Sequence, residues 1–153
     1  MHYASCMAGM AFNLTSLGLN HGIAHAAGAK LHVPHGRLNA LLLNEVIQYN
    51  AGCGHLNHAY NEQTAEKYAY LAKLLGYEKS TAKIGVKHLI RAIEQLKKQL
   101  AMPNSLKQAG VSSEVFEQFK QEIAEGALLD GCTQTNPRVP TKGEIEQILD
   151  NVK

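Results

Sequence analysis

The sequence has no tryptophan and only three phenylalanines, so any core must be built mainly from aliphatic side chains. It has no block of like charge. Fifteen lysines and arginines stand against thirteen acids, giving a formal net charge of +2, and the basic residues are scattered. A balance this close to neutral gives no electrostatic case for a nucleic acid or an anionic membrane surface as partner. It has no long hydrophobic run: the stretch from Ala8 to Leu19 is interrupted by Asn13, Thr15 and Ser16 and falls short of the roughly 20 apolar residues that a membrane span requires. No basic residue precedes that run, so it does not read as a signal peptide, and a soluble, cytoplasmic protein is expected. The three cysteines, Cys6, Cys53 and Cys132, are odd in number, far apart and without a C-x-x-C pair, which argues against a disulfide framework. Also missing are runs of period-two hydrophobicity, an internal repeat, a G-x-S-x-G elbow and a glycine-rich phosphate loop following a strand.

What is there is helical, over a single-domain length of 153 residues. Residues 4–17 are small and apolar on nearly every side, a pattern that predicts a central helix covered by neighbours. A second short helix is expected from Asn20 to Ala27, stopped by Gly28, and a third from Pro34, which suits a first helical position. Residues 50–54 (N-A-G-C-G) form a turn cluster. Glu62 to Leu75 has apolar residues near helical spacing, with Gly76 expected at its C-terminal cap. Ser80 or Thr81 can cap a helix reaching about Leu100, with Ile84, Val86, Leu89, Ile90, Ile93, Leu96 and Leu100 turned inward. Ser112 or Ser113 caps an amphipathic helix through Glu125, and Thr141 with Glu144 makes a capping box before Ile145, Ile148 and Leu149. The fold class is all-α. The first fifty residues read as interior and the last eighty as their cover, so buried-looking helices at the start of the chain imply preceding sequence.

The chemistry lies between Gly18 and Gly36, which holds His21, His25, His32 and His35. His21 and His25 are four apart and project from one helix face, and His35 can be returned to them by a short connection. Three readings compete. The histidines are ordinary core or surface residues; they are a zinc-type cluster; or some of them bind a metal together with carboxylates from elsewhere. The protease pattern H-E-x-x-H fails, because Gly22, Ile23 and Ala24 separate the pair and no glutamate is available as base. The nearest acid, Glu45, lies ten residues past His35 on the third helix, and no acid stands at evident ligand spacing. The inner sphere is incomplete.

The stretch L-G-L-N-H-G-I-A-H-A-A-G-A-K-L-H-V-P-H-G-R-L-N-A-L-L-L, with A-G-M-A-F before it, resembles the signature of the iron-containing (group III) alcohol dehydrogenases. The tail L-L-D-G-C-T-Q-T-N-P-R-V-P-T looks like that family's tail, and the opening M-H-Y-A-S-C-M-A-G-M-A-F is similar to the propanol and ethanol dehydrogenases of propanediol or ethanolamine utilisation. The resemblance covers the whole chain. It implies the helical C-terminal metal-binding domain of the dehydroquinate synthase-like fold, occupying residues 1–153. It also implies an NAD(P)-dependent enzyme interconverting short-chain primary alcohols and aldehydes at one divalent metal, Fe2+ with Zn2+ as the alternative.

In the family an aspartate and three histidines hold the metal, and His21 and His35 match two of those histidines. His25 matches a catalytic neighbour of the metal that also borders the nicotinamide. Phe12 and Cys132 match positions lining the substrate cleft. The D-x-x-x-H helix that supplies the other two ligands, and the dinucleotide-binding domain, have no counterpart in these 153 residues. The resemblance therefore implies a homo-oligomeric enzyme of more than twice this length, cytoplasmic or inside a bacterial microcompartment. The present chain alone is expected to bind iron or zinc weakly and to be inactive. Lys30, Arg37 and the pair Ala26-Ala27 depart from many relatives and bear on substrate preference. The rival expectation is a stand-alone helical metal-binding or protein-interaction module.

Overall fold

The structure is a computed structural model that describes residues 1–54, 59–78 and 81–153. Seven α-helices appear among the described residues: α1 (His2–Thr15), α2 (Leu19–Leu31), α3 (His35–Ala51), α4 (Glu62–Leu74), α5 (Ala82–Gln99), α6 (Ser113–Leu129) and α7 (Lys142–Asn151). A short 3-10 turn, Thr133–Thr135, separates α6 from α7, and no strand occurs among the described residues. The all-α expectation holds.

The helix ends follow local chemistry. Thr81 and Ser112 accept from the backbone N–H groups of Ile84 and Val115, and Thr141 with Glu144 forms the anticipated capping box. Ser80, the other expected cap of α5, lies outside the described residues. At the end of α4 the C-cap is Leu75. Gly76 follows it in the left-handed region (φ 89°), while the N–H groups of Gly76 and Tyr77 return to the carbonyls of Lys73 and Ala72. That is a Schellman closure, which needs a residue without a Cβ at the left-handed position. Gly52 (φ 65°) closes α3 in the same way, so the predicted turn cluster is in part the last turn of a helix.

Two cores result. The larger lies among α2, α3, α6 and α7, with Leu19, Ile23, Leu42, Ile123, Ile145 and Ile148 fully or almost fully buried. Each such side chain stabilises the fold by roughly 1.5–3 kcal/mol through removal of apolar surface from water. The smaller joins the α4–α5 hairpin to the end of α3 through Ile47, Ala51, Ala65, Ala69, Val86 and Leu89. Gly85 permits this approach, because a Cβ there would overlap Ala69.

Several expectations need correction. The helix of residues 4–17 is not central: α1 has no buried residue, and Tyr3, Met7, Met10 and Leu14 are exposed. Apolarity on all sides permits burial, but burial requires a neighbour, and α1 has no extensive packing against another described helix. Nor do the last eighty residues form only a cover, since α6 and α7 supply a third of the main core. The second helix does not stop at Gly28. It runs through that glycine to Leu31, because its inner face is held by packing that outweighs a helix propensity penalty of about 1 kcal/mol. In α5, Val86 and Leu89 are buried, whereas Ile84, Leu96 and Leu100 are exposed, because the hairpin covers only part of a long amphipathic helix.

Candidate metal centre

Helix α2 carries the first two histidines, and contacts from distant sequence fix its position. Its N-terminal amide, Leu19 N–H, donates to Asn136 Oδ1 at 3.1 Å. Asn136 is buried, and its amide group donates to Asn50 Oδ1 and the Arg138 carbonyl, both at 2.7 Å. The tail asparagine therefore caps α2 where no capping side chain of its own does so. Gly22 then lets α2 meet the 3-10 turn, since a Cβ at Gly22 would overlap the Thr133 side chain. Farther along α2, Gly126 of α6 faces Ala26, where an added Cβ would lie 3.2 Å from the Ala26 Cβ.

The chain leaves α2 through His32, which is exposed and left-handed (φ 51°), and reverses at Val33-Pro34. His35 is the first residue of α3 and comes back beside α2. The imidazole centroids of His21 and His35 are 5.3 Å apart, those of His25 and His35 are 5.1 Å apart and nearly parallel, and those of His21 and His25 are 6.0 Å apart, edge to face. The Phe12 ring lies 6.5 Å from that of His21. Among the motif histidines His32 alone makes none of these ring contacts.

A pair of asparagines braces the turn. Asn20 Nδ2 donates to Asn39 Oδ1 at 2.7 Å, and Asn39 Nδ2 donates to His35 Nε2 at 2.9 Å and to the His35 carbonyl at 3.1 Å. In this arrangement Nε2 of His35 is the acceptor and a neutral ring carries its proton on Nδ1. On the other side of the cluster, Asp130 Oδ2 lies 3.0 Å from His25 Nδ1, and Asp130 Oδ1 accepts the Cys132 N–H at 2.8 Å. Since an ionised carboxylate only accepts, His25 donates from Nδ1, and in the neutral ring the lone pair is on Nε2. Cys132 is drawn in by the same turn: ligand atoms of His25, Asp130 and Cys132 all lie within 4.8 Å of one another.

The electrostatics follow from this crowding. Partial burial, then the neighbouring His35 and His25, push the His21 pKa below its ordinary value, against a weaker opposing pull from Asp130. Burial works to raise the Asp130 carboxyl, but the Cys132 N–H and the His25 hydrogen bond outweigh it and hold the pKa down. The Cys132 thiol is pushed up by burial and by Asp130.

The structure thus brings His21, His25, His35, Phe12 and Cys132 to one place. Asp130 was missed. The view that no acid stands near the histidines considered neighbours in sequence, whereas Asp130 arrives from 105 residues away; the available signal was its position before Gly131-Cys132 in the tail. Glu45 is elsewhere, accepting from Gln48 and Asn151.

The donor set fits part of an iron site. Two adjacent imidazoles are present, and at His21 the neutral form that coordination requires is favoured. The nearby carboxylate is engaged by His25 rather than shared between the two. In His35, ligation through Nε2 would take the place of the Asn39 donor.

Clustered imidazoles beside a carboxylate on a helical frame are the donor types that a divalent metal takes, and the comparisons specify the family. Residues 1–152 match the family model for the C-terminal part of Fe-containing alcohol dehydrogenases, and the chain belongs to that family. It is 37% identical to the NADPH-dependent butanol dehydrogenase of Clostridium saccharobutylicum, over 99% of this chain and 37% of the relative. It is 38% identical to the 1-propanol dehydrogenase PduQ of Citrobacter freundii, over 99% of this chain and 40% of the relative. Among solved structures, a 1,3-propanediol oxidoreductase superposes with a TM-score of 0.83 at 34% identity, over 99% of this chain and 36% of that one. The chain therefore spans well under half the length of these relatives.

Proposed function

We propose that this chain is the C-terminal helical domain of an NAD(P)-dependent, metal-dependent alcohol dehydrogenase that interconverts short-chain primary alcohols and aldehydes. In this reading it supplies His21 and His35 to a divalent metal, iron or alternatively zinc, whose other ligands and whose nicotinamide cofactor are held mainly by sequence outside these 153 residues. The carrying observation is the convergence of His21 and His35 at 5.3 Å in a chain that matches the family over residues 1–152. When bound, the metal supplies Lewis acidity toward the substrate oxygen and the nicotinamide exchanges hydride with the substrate carbon.

The chain's own residues do the rest. His21 and His35 hold the metal as neutral imidazoles. His25 handles the substrate's proton: Asp130 keeps Nδ1 protonated, which leaves Nε2 as the nitrogen that accepts. Phe12, beside His21, forms an apolar wall that limits water at the reacting carbon. Cys132 contributes to the same wall.

The setting we assign is the cytoplasm or a bacterial microcompartment, with a homo-oligomeric full-length protein and no membrane or nucleic-acid partner. No helix among the described residues is long and apolar enough to cross a membrane. The 153-residue chain alone should be inactive. The decisive assay uses a longer form that includes the cofactor-binding domain: aldehyde-dependent NAD(P)H oxidation is expected, with a loss of at least about 100-fold on His21→Ala, since loss of even an outer-shell partner costs a metal site ~10–100-fold. No activity toward any short-chain aldehyde, or full activity in His21→Ala, would overturn the reading. The exposed apolar α1 favours a second reading, an interaction module without catalysis. A dehydrogenase-negative long form whose α1 is buried by a partner would establish it.

A further inference from the structure

We infer that His25, Asp130 and Cys132 form a second metal site, distinct from the His21/His35 pair, that takes a zinc-like divalent ion through nitrogen, oxygen and sulfur. The three come from two separate parts of the fold. His25 projects from the middle of α2, while Asp130 and Cys132 flank Gly131 in the turn leaving α6. Their ligand atoms lie within 4.8 Å of one another, and the His25 Nδ1 to Asp130 Oδ2 separation is already 3.0 Å. Tetrahedral zinc, with bonds of about 2.0–2.3 Å, holds its ligands roughly 3.5 Å apart, so side-chain rotation of about an ångström closes the site.

The turn is prearranged for this. Asp130 Oδ1 accepts the Cys132 N–H at 2.8 Å, which fixes the two residues relative to each other and leaves Oδ2 directed at His25. Gly22 and Thr133 hold that turn against α2. Asp130 and Cys132 are half-buried and His25 is exposed, so an ion can enter and keep an open position for water.

The donor chemistry sets the selectivity. A thiolate together with an imidazole favours zinc, and cobalt as its spectroscopic substitute, over hard cations such as magnesium or calcium. Without metal the thiol is protonated, because burial and Asp130 both oppose its ionisation, so binding displaces one proton from Cys132. At His25 the ring proton passes to Nε2 when Nδ1 ligates. The expectation of weak zinc binding counted only His21 and His35 as ligands, and this site depends on neither. An ion here also removes His25 from the proton-handling role proposed above, which makes occupancy inhibitory in the full-length protein.

The test is a cobalt and zinc titration of the metal-free 153-residue chain. We expect one cobalt ion per chain, with a thiolate-to-cobalt charge-transfer band in the near ultraviolet and tetrahedral visible bands, both displaced by zinc. Cys132→Ala should abolish the charge-transfer band, and Asp130→Asn, which retains an acceptor for the Cys132 N–H, should weaken affinity at least tenfold. The Cys6→Ala/Cys53→Ala double variant should leave the band unchanged. The His21→Ala/His35→Ala double variant should also leave it unchanged, which separates this site from the proposed iron ligands. Absence of a charge-transfer band in the unmodified chain, its survival in Cys132→Ala, or its loss in the His21/His35 variant with the helical circular dichroism intact, would each overturn the inference.

Discussion

Helices α1 and α2 are nearly equal in length and similar in composition, yet they have opposite fates. Helix α1, with Cys6, Met7, Ala8, Gly9, Met10, Ala11 and Phe12, has no buried residue. Helix α2, no more apolar, buries Leu19, Gly22, Ile23, Ala24, Ala27 and Leu31. The difference lies in partners. Small residues on α2 meet small residues on α6 and the 3-10 turn, so backbones approach closely and the few large side chains interdigitate beneath them. Helix α1 has the same capacity for close approach, and no described helix packs extensively against it. Amphipathic patterning says which face of a helix goes inward; an all-apolar helix carries no such instruction.

The largest expected break in this comparison is Ile23→Ala set against Met7→Ala. Ile23 is completely buried at the centre of the main core, and its truncation should cost about 3 kcal/mol through lost burial plus a residual cavity. Met7 is 69% exposed, and its truncation should change stability by less than ~0.5 kcal/mol. Urea denaturation of the two variants measures both. An equal cost at Met7 would show that α1 buries its apolar face in solution, most simply against a second copy of the chain.

A glycine pair sharpens the contrast because the signs should differ. In Gly22→Ala the new methyl group overlaps the Thr133 side chain, forcing α2 and the turn apart at a cost of about 1–3 kcal/mol. In Gly9→Ala the methyl group would meet only the edge of the Phe12 ring at 4.0 Å, so improved helix propensity should stabilise by about 0.5–1 kcal/mol. Thermal melts of the two variants should move in opposite directions; a shared direction would mean that α1 and α2 are packed alike.

These two helices also show how far the sequence reaches. The capping box at Thr141, the Schellman glycine after α4 and the helical spacing of His21 and His25 are local, and each is written in a few adjacent residues. Much of the site is not local. Asn136 caps α2 from 117 residues away, and Asp130 meets His25 across 105. No periodicity encodes such a meeting, because it depends on where α6 ends relative to α2 after packing. The same reasoning explains the misplacement of α1: its composition was legible, its lack of a neighbour was not. The family motif compensated in part by marking His21, His35 and Cys132 as belonging together. It did not supply Asp130 a partner, nor Asn39 a purpose.

Asn39 gives the smallest effect and the most specific test of what α2 does for the site. Through Asn20 it ties α2 to α3, and through its amide nitrogen it holds the ring of His35. Asn39→Ala removes both links and should cost about 1 kcal/mol, the net worth of a hydrogen bond at a partly exposed position. Asn39→Asp separates the two functions. It keeps an oxygen for Asn20 Nδ2, so the tie between the helices persists, but it presents an acceptor where His35 Nε2 now receives a donor. A neutral His35 must then move its proton from Nδ1 to Nε2 to retain a partner. Nitrogen-15 chemical shifts of the His35 ring should report that tautomer change while the denaturation midpoint stays within about 0.5 kcal/mol of the parent chain. If the ring shifts are unaltered while stability is kept, Asn39 serves only to join the helices and does not orient the histidine.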